Sequence, residues 1–588
     1  MNLGTRVQAR RSGQKFLWFA TAVSALLTVA VLYPLLIVGQ DLFVRDGNLS
    51  TAAFQEAWHE PNILPVIAQT VALVLGSTVM ATCIAVLFAW LNERTDARMG
   101  KLTDDLPVIP LLVPPIAGSI GWILLASPQA GYLNVAIRDG LSLFGVELQE
   151  GPFDISTWYG LLFVYVLYQM PYVYVVVSAG LRNLDPAYEE AARTFGSSNL
   201  RTLVRVTIPA VKPSILGGAF LALVIGFALF SVPAIIGTQA GIEVLSVRMV
   251  RLVTVTYPPR TDVAIVLGIV VLAALAATWL VQRRIVDSGH FAAVGGRGSR
   301  SSRIRLHKWR VVARASIISY ILATLVLPVV ALLLVSLQTY WSAEIRWASF
   351  DLRQYVEVLV GDGTTRHALV NSILYAVIAA TLAMLVAMVV AVRQHFRPGG
   401  LINLSADAAG KVSGAISHVI LAIAILVAFA RPPFLLHGTA AILILAYVVM
   451  YMPQASVTAQ TAVAQIGRDM TEAAQVNGAR YGRIVARILT PLSLSGLAGG
   501  WALVFVLAAG DITGSVVLSS VNTPVAGSML LQIWESGRYP KLAAFAIIIS
   551  ILSSVVVLAV MAVARRLNFA SRALRKQERP TNVNAARS

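Results

Sequence analysis

Two segments of the chain, 282 residues apart, carry the same pattern of acidic, small and helix-ending residues. Each has a glutamate followed by two alanines, then a glycine and a proline at matching distances. A glutamate beside two alanines suits docking to another protein, because small side chains permit close approach and the carboxylate offers an anionic anchor. The pattern consists of Glu190, Ala191, Ala192, Gly196, Pro209, Glu472, Ala473, Ala474, Gly478 and Pro491.

Asp511 is the acidic residue that falls inside an apolar segment. A carboxylate at the centre of a membrane helix costs roughly 2.5–3.5 kcal/mol on insertion scales, so it needs a reason to be there. Two interpretations are equally open: a residue of a transport pathway or gate, and a helix-packing contact to a nearby serine or threonine. An intramembrane aspartyl protease needs a second carboxylate, which no other span supplies.

Other chemistry-bearing groups do not assemble into a site. None of the seven histidines forms a pair with metal-ligand spacing, and only His418 falls in a candidate span. We therefore expect no metal. Gly100-Lys101-Leu102 and Gly410-Lys411-Val412 lack the upstream glycine and the hydroxyl residue of a phosphate-binding loop. The chain is expected to hold no cofactor and to perform no covalent chemistry. The one cysteine, Cys83, lies in an apolar run and is expected to be buried.

The paired segments predict two short helices with a turn at the glycine. Asp185 can cap the first helix, with Pro186 at its first position. Gly196 and Gly478 stand where a helix end favours a left-handed residue. Pro209 and Pro491 then close the second helix. The segment also resembles a DNA-binding helix-turn-helix, but its place between apolar spans makes a nucleic-acid partner implausible.

The elements that position these segments are apolar spans. Of 588 residues, 57% are hydrophobic and 13% charged, against about 25% charged in a typical soluble protein. The composition excludes soluble, disordered and disulfide-rich classes and predicts an all-α polytopic membrane protein. We count about twelve spans of roughly 20 residues each. They lie near 16–39, 64–91, 106–127, 157–181, 215–238, 263–281, 312–338, 369–392, 412–430, 438–459, 494–520 and 541–564.

The spans form two tandem copies. Met170-Pro171 and Tyr257-Pro258 recur as Met452-Pro453 and Tyr539-Pro540, again 282 residues later. Six spans per copy give both copies the same orientation, so a pseudo-two-fold axis along the membrane normal is expected. The predicted division is a first domain 1–290 with its loop at 184–213, a basic Gly/Arg/Ser linker 291–311, and a second domain 312–588 with its loop at 465–495.

The formal net charge of +18 is explained by topology. With both termini in the cytoplasm, the cytoplasmic segments hold most of the lysines and arginines, as the positive-inside rule requires. The expected location is the bacterial plasma (inner) membrane. Arg248, Arg251 and Arg260 make the opposite face locally basic; docking of an acidic partner and ordinary helix charge are equally open explanations.

The duplicated loops resemble those of the permeases of binding-protein-dependent ABC importers, whose pattern is E-A-A-x3-G-x9-I-x-L-P. Val206 and Ile208 are conservative replacements in the first loop, and Thr490 stands in place of leucine in the second. The resemblance implies two fused six-helix permease domains of the type I importer fold. It further implies that each loop is a coupling helix docked on one of two copies of a separate ABC ATPase, which carries the ATP and Mg²⁺. An extracytoplasmic binding protein would deliver the solute.

The fused form looks most like the ferric-iron and thiamine branches of that family. Ferric iron is the preferred cargo, followed by thiamine, then polyamine or phosphonate. The alternative from another class is an ion-gradient-driven transporter, which the scarcity of intramembrane acidic and histidine residues disfavours.

Overall fold

The architecture follows from a solvent that offers no hydrogen bonds, so the spanning segments are helices that satisfy their own backbone. The computed structural model describes residues 3–45, 48–100, 113–287, 304–397, 399–479 and 481–577. Most of these residues are helical, and the strands Val44–Arg45 and Asn48–Leu49 form one short antiparallel pair. The all-α membrane fold predicted from composition is confirmed.

Twelve apolar helices follow the order of the predicted spans, six on each side of the linker. In chain order they are α1 (Leu3–Phe43), α2 (Ile63–Arg94), α3 (Pro115–Ala126), α4 (Trp158–Asn183), α5 (Lys212–Ala228), α6 (Thr261–Asp287), α7 (Trp309–Ser336), α8 (Gly363–Phe396), α9 (His418–Phe429), α10 (Ala440–Ala464), α11 (Thr490–Ala509) and α12 (Tyr539–Gln577).

Shorter elements join them. The α-helices are Ala52–Trp58, Tyr132–Ser142, Ala187–Thr194, Asn199–Thr202, Ile208–Ala210, Leu245–Thr254, Arg353–Val356, Leu401–Ala415, Arg468–Val476, Tyr481–Ile484, Thr513–Leu518 and Ala526–Glu535. The π-helical segments are Leu203–Thr207, Pro233–Gly237, Leu322–Val326, Glu357–Gly361 and Val485–Leu489, and Trp347–Ser349 is a 3₁₀ turn.

Eight of the described helices are long and apolar enough to cross a bilayer unaided. The ninth differs from the prediction of a full span: it is interrupted at Ile416 and Ser417, and α9 has 12 residues, which reach only about 18 Å. Helix α3 begins at Pro115, and residues 106–112 of the predicted third span lie outside the described residues. A bend of 72° precedes α5, and a bend of 65° divides α11 between Leu494 and Gly496. These two helices end at Ala228 and Ala509, short of the predicted limits. Apolar composition indicates where the chain can lie in lipid but not where a helix breaks.

The first helix of each half packs on the other half. Helix α1 lies against α8, α9 and Leu401–Ala415, whereas α7 lies between α3 and α12. Trp122 of α3 donates to the Ala323 carbonyl at 3.1 Å, and the Tyr320 hydroxyl donates to the Leu167 carbonyl at 2.9 Å. The first helices of the two halves, α1 and α7, are thus exchanged: each packs on helices of the other half.

The linker itself lies mostly outside the described residues. Its last part begins at Ile304, which bridges to Thr95 just after α2. The Arg314 guanidinium then donates to the carbonyls of Asp96, Ala97 and Arg98. The start of the second half is therefore tied to the turn at the C-terminal end of α2.

The expected burial of Cys83 is wrong. Its side chain is exposed on α2, because the outer face of a membrane helix is shielded by lipid rather than by protein. Leu75, Val79 and Leu87 of the same helix are also exposed. An apolar residue in a span therefore need not belong to the protein core.

Close packing of α3 on α7 predicts the effect of one methyl group. A Cβ at Gly121 would lie 2.6–2.7 Å from Pro328 atoms, including its backbone. We expect Gly121→Ala to destabilise the protein by about 1–3 kcal/mol through overpacking, measured as a lower unfolding midpoint in detergent. Gly39→Ala is the matched control, since a Cβ there meets nothing within 4 Å. Equal midpoints for the two variants would contradict the exchanged packing.

Candidate functional site

The first loop has the predicted two-helix form. Asp185 Oδ1 accepts from the Ala187 amide at 2.9 Å and caps helix Ala187–Thr194. Gly196 has φ +81°, and the Ser197 amide returns to the Ala192 carbonyl at 3.0 Å. These contacts form the left-handed helix end that the sequence predicts. The second helix continues to Ala210, and α5 follows after the bend.

The second loop repeats this geometry. Gly478 has φ +79°, and the Ala479 amide donates to the Ala474 carbonyl at 2.9 Å. The π-helical segments Leu203–Thr207 and Val485–Leu489 occupy equivalent places, 282 residues apart. The two loops are therefore structural copies, and the predicted pair of short helices with a turn at the glycine is confirmed for both.

The paired glutamates and the first alanine of each pattern are exposed. Glu190, Ala191, Glu472 and Ala473 all face outward, whereas Ala192 and Ala474 are partly covered. Large apolar side chains lie beside them without cover: Phe195 is 91% and Val476 84% exposed, and Tyr188 and Met470 are half-exposed. Each loop thus presents a surface with one carboxylate, a small-residue flank and exposed apolar groups. Pro209 is exposed and Pro491 half-buried at the far ends of the loops.

Sequence reasoning singled out Glu190 but missed its neighbour. Glu189 is buried, and its carboxylate accepts from Arg94 Nε at 3.1–3.3 Å and from the Thr207 hydroxyl at 2.7 Å. The sequence does contain a sign of this second glutamate: the first loop has two adjacent glutamates, Glu189-Glu190, where the second loop has Thr471-Glu472. One of two adjacent helix positions must face the protein, and the pattern alone does not tell which.

Asp511 lies in the break between α11 and helix Thr513–Leu518. Its carboxylate accepts from the Tyr451 hydroxyl at 2.8 Å and from the amides of Gly514 and Ser515 at 2.8 and 3.0 Å. Asp511 therefore caps the short helix and fastens it to α10. The ring of His418 stacks edge-on against Tyr451, with 5.3 Å between centroids.

The break also lies where the halves meet. The position of a Gly510 Cβ is 3.5 Å from Pro114 of the first half, and helix Thr513–Leu518 packs on Leu245–Thr254. The Asp511 side chain is only 6% exposed. Its contacts are those of a packing residue at the boundary between the halves, and a role in a transport pathway or gate stays a prediction.

The basic cluster of Arg248, Arg251 and Arg260 is paired with carboxylates of the same half. Arg248 and Arg260 both form ion pairs with the buried Glu60, and Arg251 pairs with Glu243 at 2.8 Å. These contacts tie the start of α6 to the segment before α2. They favour a structural role over a free docking patch.

The second half has an ion-pair cluster at the corresponding ends of α8 and α12. Lys541 lies 3.1 Å from Glu357 and 2.7 Å from Asp362, and Arg538 also pairs with Glu357. Burial opposes ionisation of Glu357, but hydrogen bonds from Lys541 and Arg538 outweigh it and lower the pKa of this carboxyl. Burial is likewise outweighed at Asp362, whose pKa is lowered by Lys541 and the Thr364 amide. Both carboxylates are therefore ionised at neutral pH.

Among the residues that the structure describes, no three His, Cys, Asp or Glu side chains gather as a group that could hold a metal ion. The described portion of the chain thus offers docking surfaces and a polar helix break.

Comparison with known proteins identifies the architecture. Residues 81–288 and 379–572, together more than half of the chain, match the family described as binding-protein-dependent transport system inner membrane component. The family matches once in each half, which agrees with the duplication seen in the sequence. The predicted resemblance to importer permeases is confirmed.

Individual relatives are distant. A ferric transport system permease protein of Actinobacillus pleuropneumoniae is 20% identical over 93% of this chain and 78% of its own length. A probable ABC transporter permease protein of Sinorhizobium fredii is 24% identical over 82% of this chain and 85% of that protein. A spermidine/putrescine transport system permease protein of Escherichia coli is 23% identical over 45% of this chain and 98% of that protein.

A solved bacterial ABC transporter involved in alginate import is similar at a TM-score of 0.37 and 17% identity. The match covers 44% of this chain and 96% of that one.

The contacts of Asp511 predict a structural cost for its removal. Asp511→Ala leaves the buried Tyr451 hydroxyl and two amides without their acceptor, which is expected to cost about 1–3 kcal/mol. Asp511→Asn keeps one acceptor oxygen and should cost less. The measurement is the unfolding midpoint in detergent. Lys411→Ala is the control, because it removes a partly exposed pair with Asp407 worth about 0.3–0.5 kcal/mol. An Asp511→Ala protein of normal stability without transport would instead indicate a purely pathway role.

Proposed function

This chain belongs to the family of binding-protein-dependent transport system inner membrane components, and we propose that it alone forms the membrane path of an ATP-driven importer. It is a multi-pass protein of the inner membrane. Its two tandem permease domains, 1–290 and 312–588, would enclose the path along their shared axis. Both termini would lie in the cytoplasm, as the distribution of lysine and arginine requires.

The observation that carries this proposal is the pair of matching loops. Each exposes a glutamate, an alanine and a large apolar side chain on or directly after a short helix that ends at a left-handed glycine. Exposed apolar groups on a charged loop favour a protein partner over water. Since the loops are copies, two copies of one ATPase subunit would dock, one at Glu190–Pro209 and one at Glu472–Pro491. ATP and Mg²⁺ would be bound by that partner.

The bends that follow the two loops support a coupling role. The first loop meets α5 at 72°, and the second loop continues into α11, which bends by 65° between Leu494 and Gly496. When a short helix is joined to a long helix at such a bend, a displacement of the short helix also displaces the long one. Closure of the two ATPase copies would thus rock the two halves and expose the path alternately to each side.

The preferred cargo is ferric iron, delivered by an extracytoplasmic binding protein. Support comes from the ferric transport permease of Actinobacillus pleuropneumoniae, which aligns with nearly the whole fused chain. The polyamine permease of Escherichia coli aligns with less than half of it. Polyamine import is therefore the second candidate; thiamine and phosphonate rest on the branch resemblance alone.

Cargo is tested by uptake in cells that lack the chromosomal copies of the permease. Expression of the chain with its ATPase and binding protein is expected to restore accumulation of ⁵⁵Fe(III), unaffected by excess spermidine and abolished by depletion of ATP. Uptake of radiolabelled spermidine without iron uptake would favour the polyamine alternative. Accumulation that collapses with an uncoupler while ATP is maintained would contradict an ATP-driven importer.

Charge reversal at the loops tests the docking surface. In Glu190→Lys/Glu472→Lys, both anionic anchors become cations, so association with the ATPase should weaken at least about tenfold. The measurement is the amount of ATPase that co-purifies with the membrane complex. Glu147→Lys/Glu344→Lys carries the same charge change on exposed residues of the opposite face and should retain the ATPase. Full co-purification with the loop variant would refute the docking assignment.

A further inference from the structure

We propose that Arg94, through its buried ion pair with Glu189, locks the first coupling loop to the inner end of α2, so that loop and helix move as one body. This inference rests on the proposed function, because it concerns how movement of a docked ATPase reaches the membrane. It makes Arg94 a positioning residue for transport.

The contacts of Arg94 reach three segments at once. Its Nε lies 3.1 Å from one Glu189 carboxylate oxygen and 3.3 Å from the other. Its Nη2 donates to the carbonyls of Leu181 and Leu184, at 2.8 and 3.0 Å, where α4 ends and the loop begins. One guanidinium therefore fixes α2 to the end of α4 and to the first short helix of the loop.

Glu189 extends the connection to the rest of the loop. Its carboxylate also accepts from Thr207, at 2.7 Å, in the second half of the loop just before the bend into α5. A displacement of either short helix is thus carried by the same carboxylate. Three core helices of the first half, α2, α4 and α5, are joined here through two charged side chains.

Stability alone is a weak explanation for this pair. The Arg94 and Glu189 side chains are only 6% and 4% exposed, and the desolvation penalty of a buried ion pair can exceed its Coulombic gain. What the pair adds over apolar packing is direction, since three hydrogen bonds from Arg94 and one from Thr207 to Glu189 fix the orientation of the loop relative to α2. If the ATPase moves the loop in every transport cycle, the loop must keep its orientation relative to α2, and this requirement explains why the ion pair is present.

The second half joins the same two elements through different side chains. Thr471 occupies the place of Glu189, and His395 Nε2, near the end of α8, lies 3.1 Å from its hydroxyl. The two loops therefore have the same shape but are attached by different residue types.

The connection continues into the second half of the protein. Directly after Arg94, Thr95 bridges to Ile304, and Asp96 Oδ1 accepts from the Leu306 amide at 3.0 Å. Arg314 of α7 binds the carbonyls of the same turn. Movement of the first loop would thus pass through the end of α2 to α7, the helix that packs on both halves.

The test measures whether loop and helix move together. In a Cys83→Ser background, spin labels are placed at Leu87→Cys on α2 and Arg201→Cys on the first loop, both exposed positions. A second pair, Arg201→Cys with Arg483→Cys, reports the distance between the two loops. Distances are recorded by pulsed electron paramagnetic resonance for the full permease with its ATPase, without nucleotide and after trapping with ATP and vanadate.

In the otherwise unchanged protein, the loop-to-loop distance is expected to shift on trapping while the Leu87–Arg201 distance stays constant. In Arg94→Met/Glu189→Met, which leaves no unpaired buried charge, the loop-to-loop shift should persist and the Leu87–Arg201 distance should now change with nucleotide. Arg182→Met is the matched control. It removes the pair between the exposed Arg182 and the partly buried Glu93, at 2.9 Å beside the same helix ends, and should behave like the unchanged protein.

Two results would overturn the inference. One is a constant Leu87–Arg201 distance in Arg94→Met/Glu189→Met despite a normal loop-to-loop shift, which would mean that packing alone holds the loop. The other is a nucleotide-dependent Leu87–Arg201 distance in the unchanged protein. Absence of any loop-to-loop shift in the unchanged protein is a different failure: it would refute the coupling role of the loops themselves.

Discussion

Every interruption of a helix in this protein must be supplied with hydrogen bonds by the protein, because hydrocarbon supplies none. The break between α11 and helix Thr513–Leu518 shows how this is met. Asp511 satisfies two free amides of the short helix, and Tyr451 satisfies Asp511. The break is stable only because it is enclosed by α10 and by the other half. This break therefore lies at the boundary between the halves, where protein rather than lipid encloses its polar groups.

The same constraint explains how the helices hold together, both between the halves and within each half. Between helices in lipid there is little hydrophobic driving force, so contact must come from close packing and a few polar bonds. Gly121 lets α3 approach Pro328 of α7, and Gly496 with Gly500 lets α11 approach α10 at Ala462 and Thr458. Charged pairs occur at opposite ends of α2, at Glu60 before its first turn and at Arg94 in its last turn. Close packing therefore holds the apolar middle of the helices, and charged pairs hold their ends.

Local sequence patterns predicted local structure well. The left-handed Gly196 and Gly478, the Asp185 cap and the repetition of both loops follow from residue types that act over a few positions. The contacts that could not be predicted join distant positions. Arg94 and Glu189 are 95 residues apart, and which of Glu189 and Glu190 faces inward depends on where α2 ends. The exchange of α1 and α7 leaves no trace in hydropathy, since a helix facing lipid and one facing a partner are equally apolar.

That exchange has a consequence for biosynthesis. Helix α7 emerges from the ribosome after the first half is complete, so its neighbour α3 has already been synthesised. Helix α1 emerges first, and its neighbours α8 and α9 follow more than three hundred residues later, a delay on the order of tens of seconds at ordinary elongation rates. During that interval α1 must persist in the bilayer without α8 and α9, in contact with α6 of its own half. The order of synthesis thus favours an α1 that is hydrophobic enough to stay inserted before those neighbours arrive.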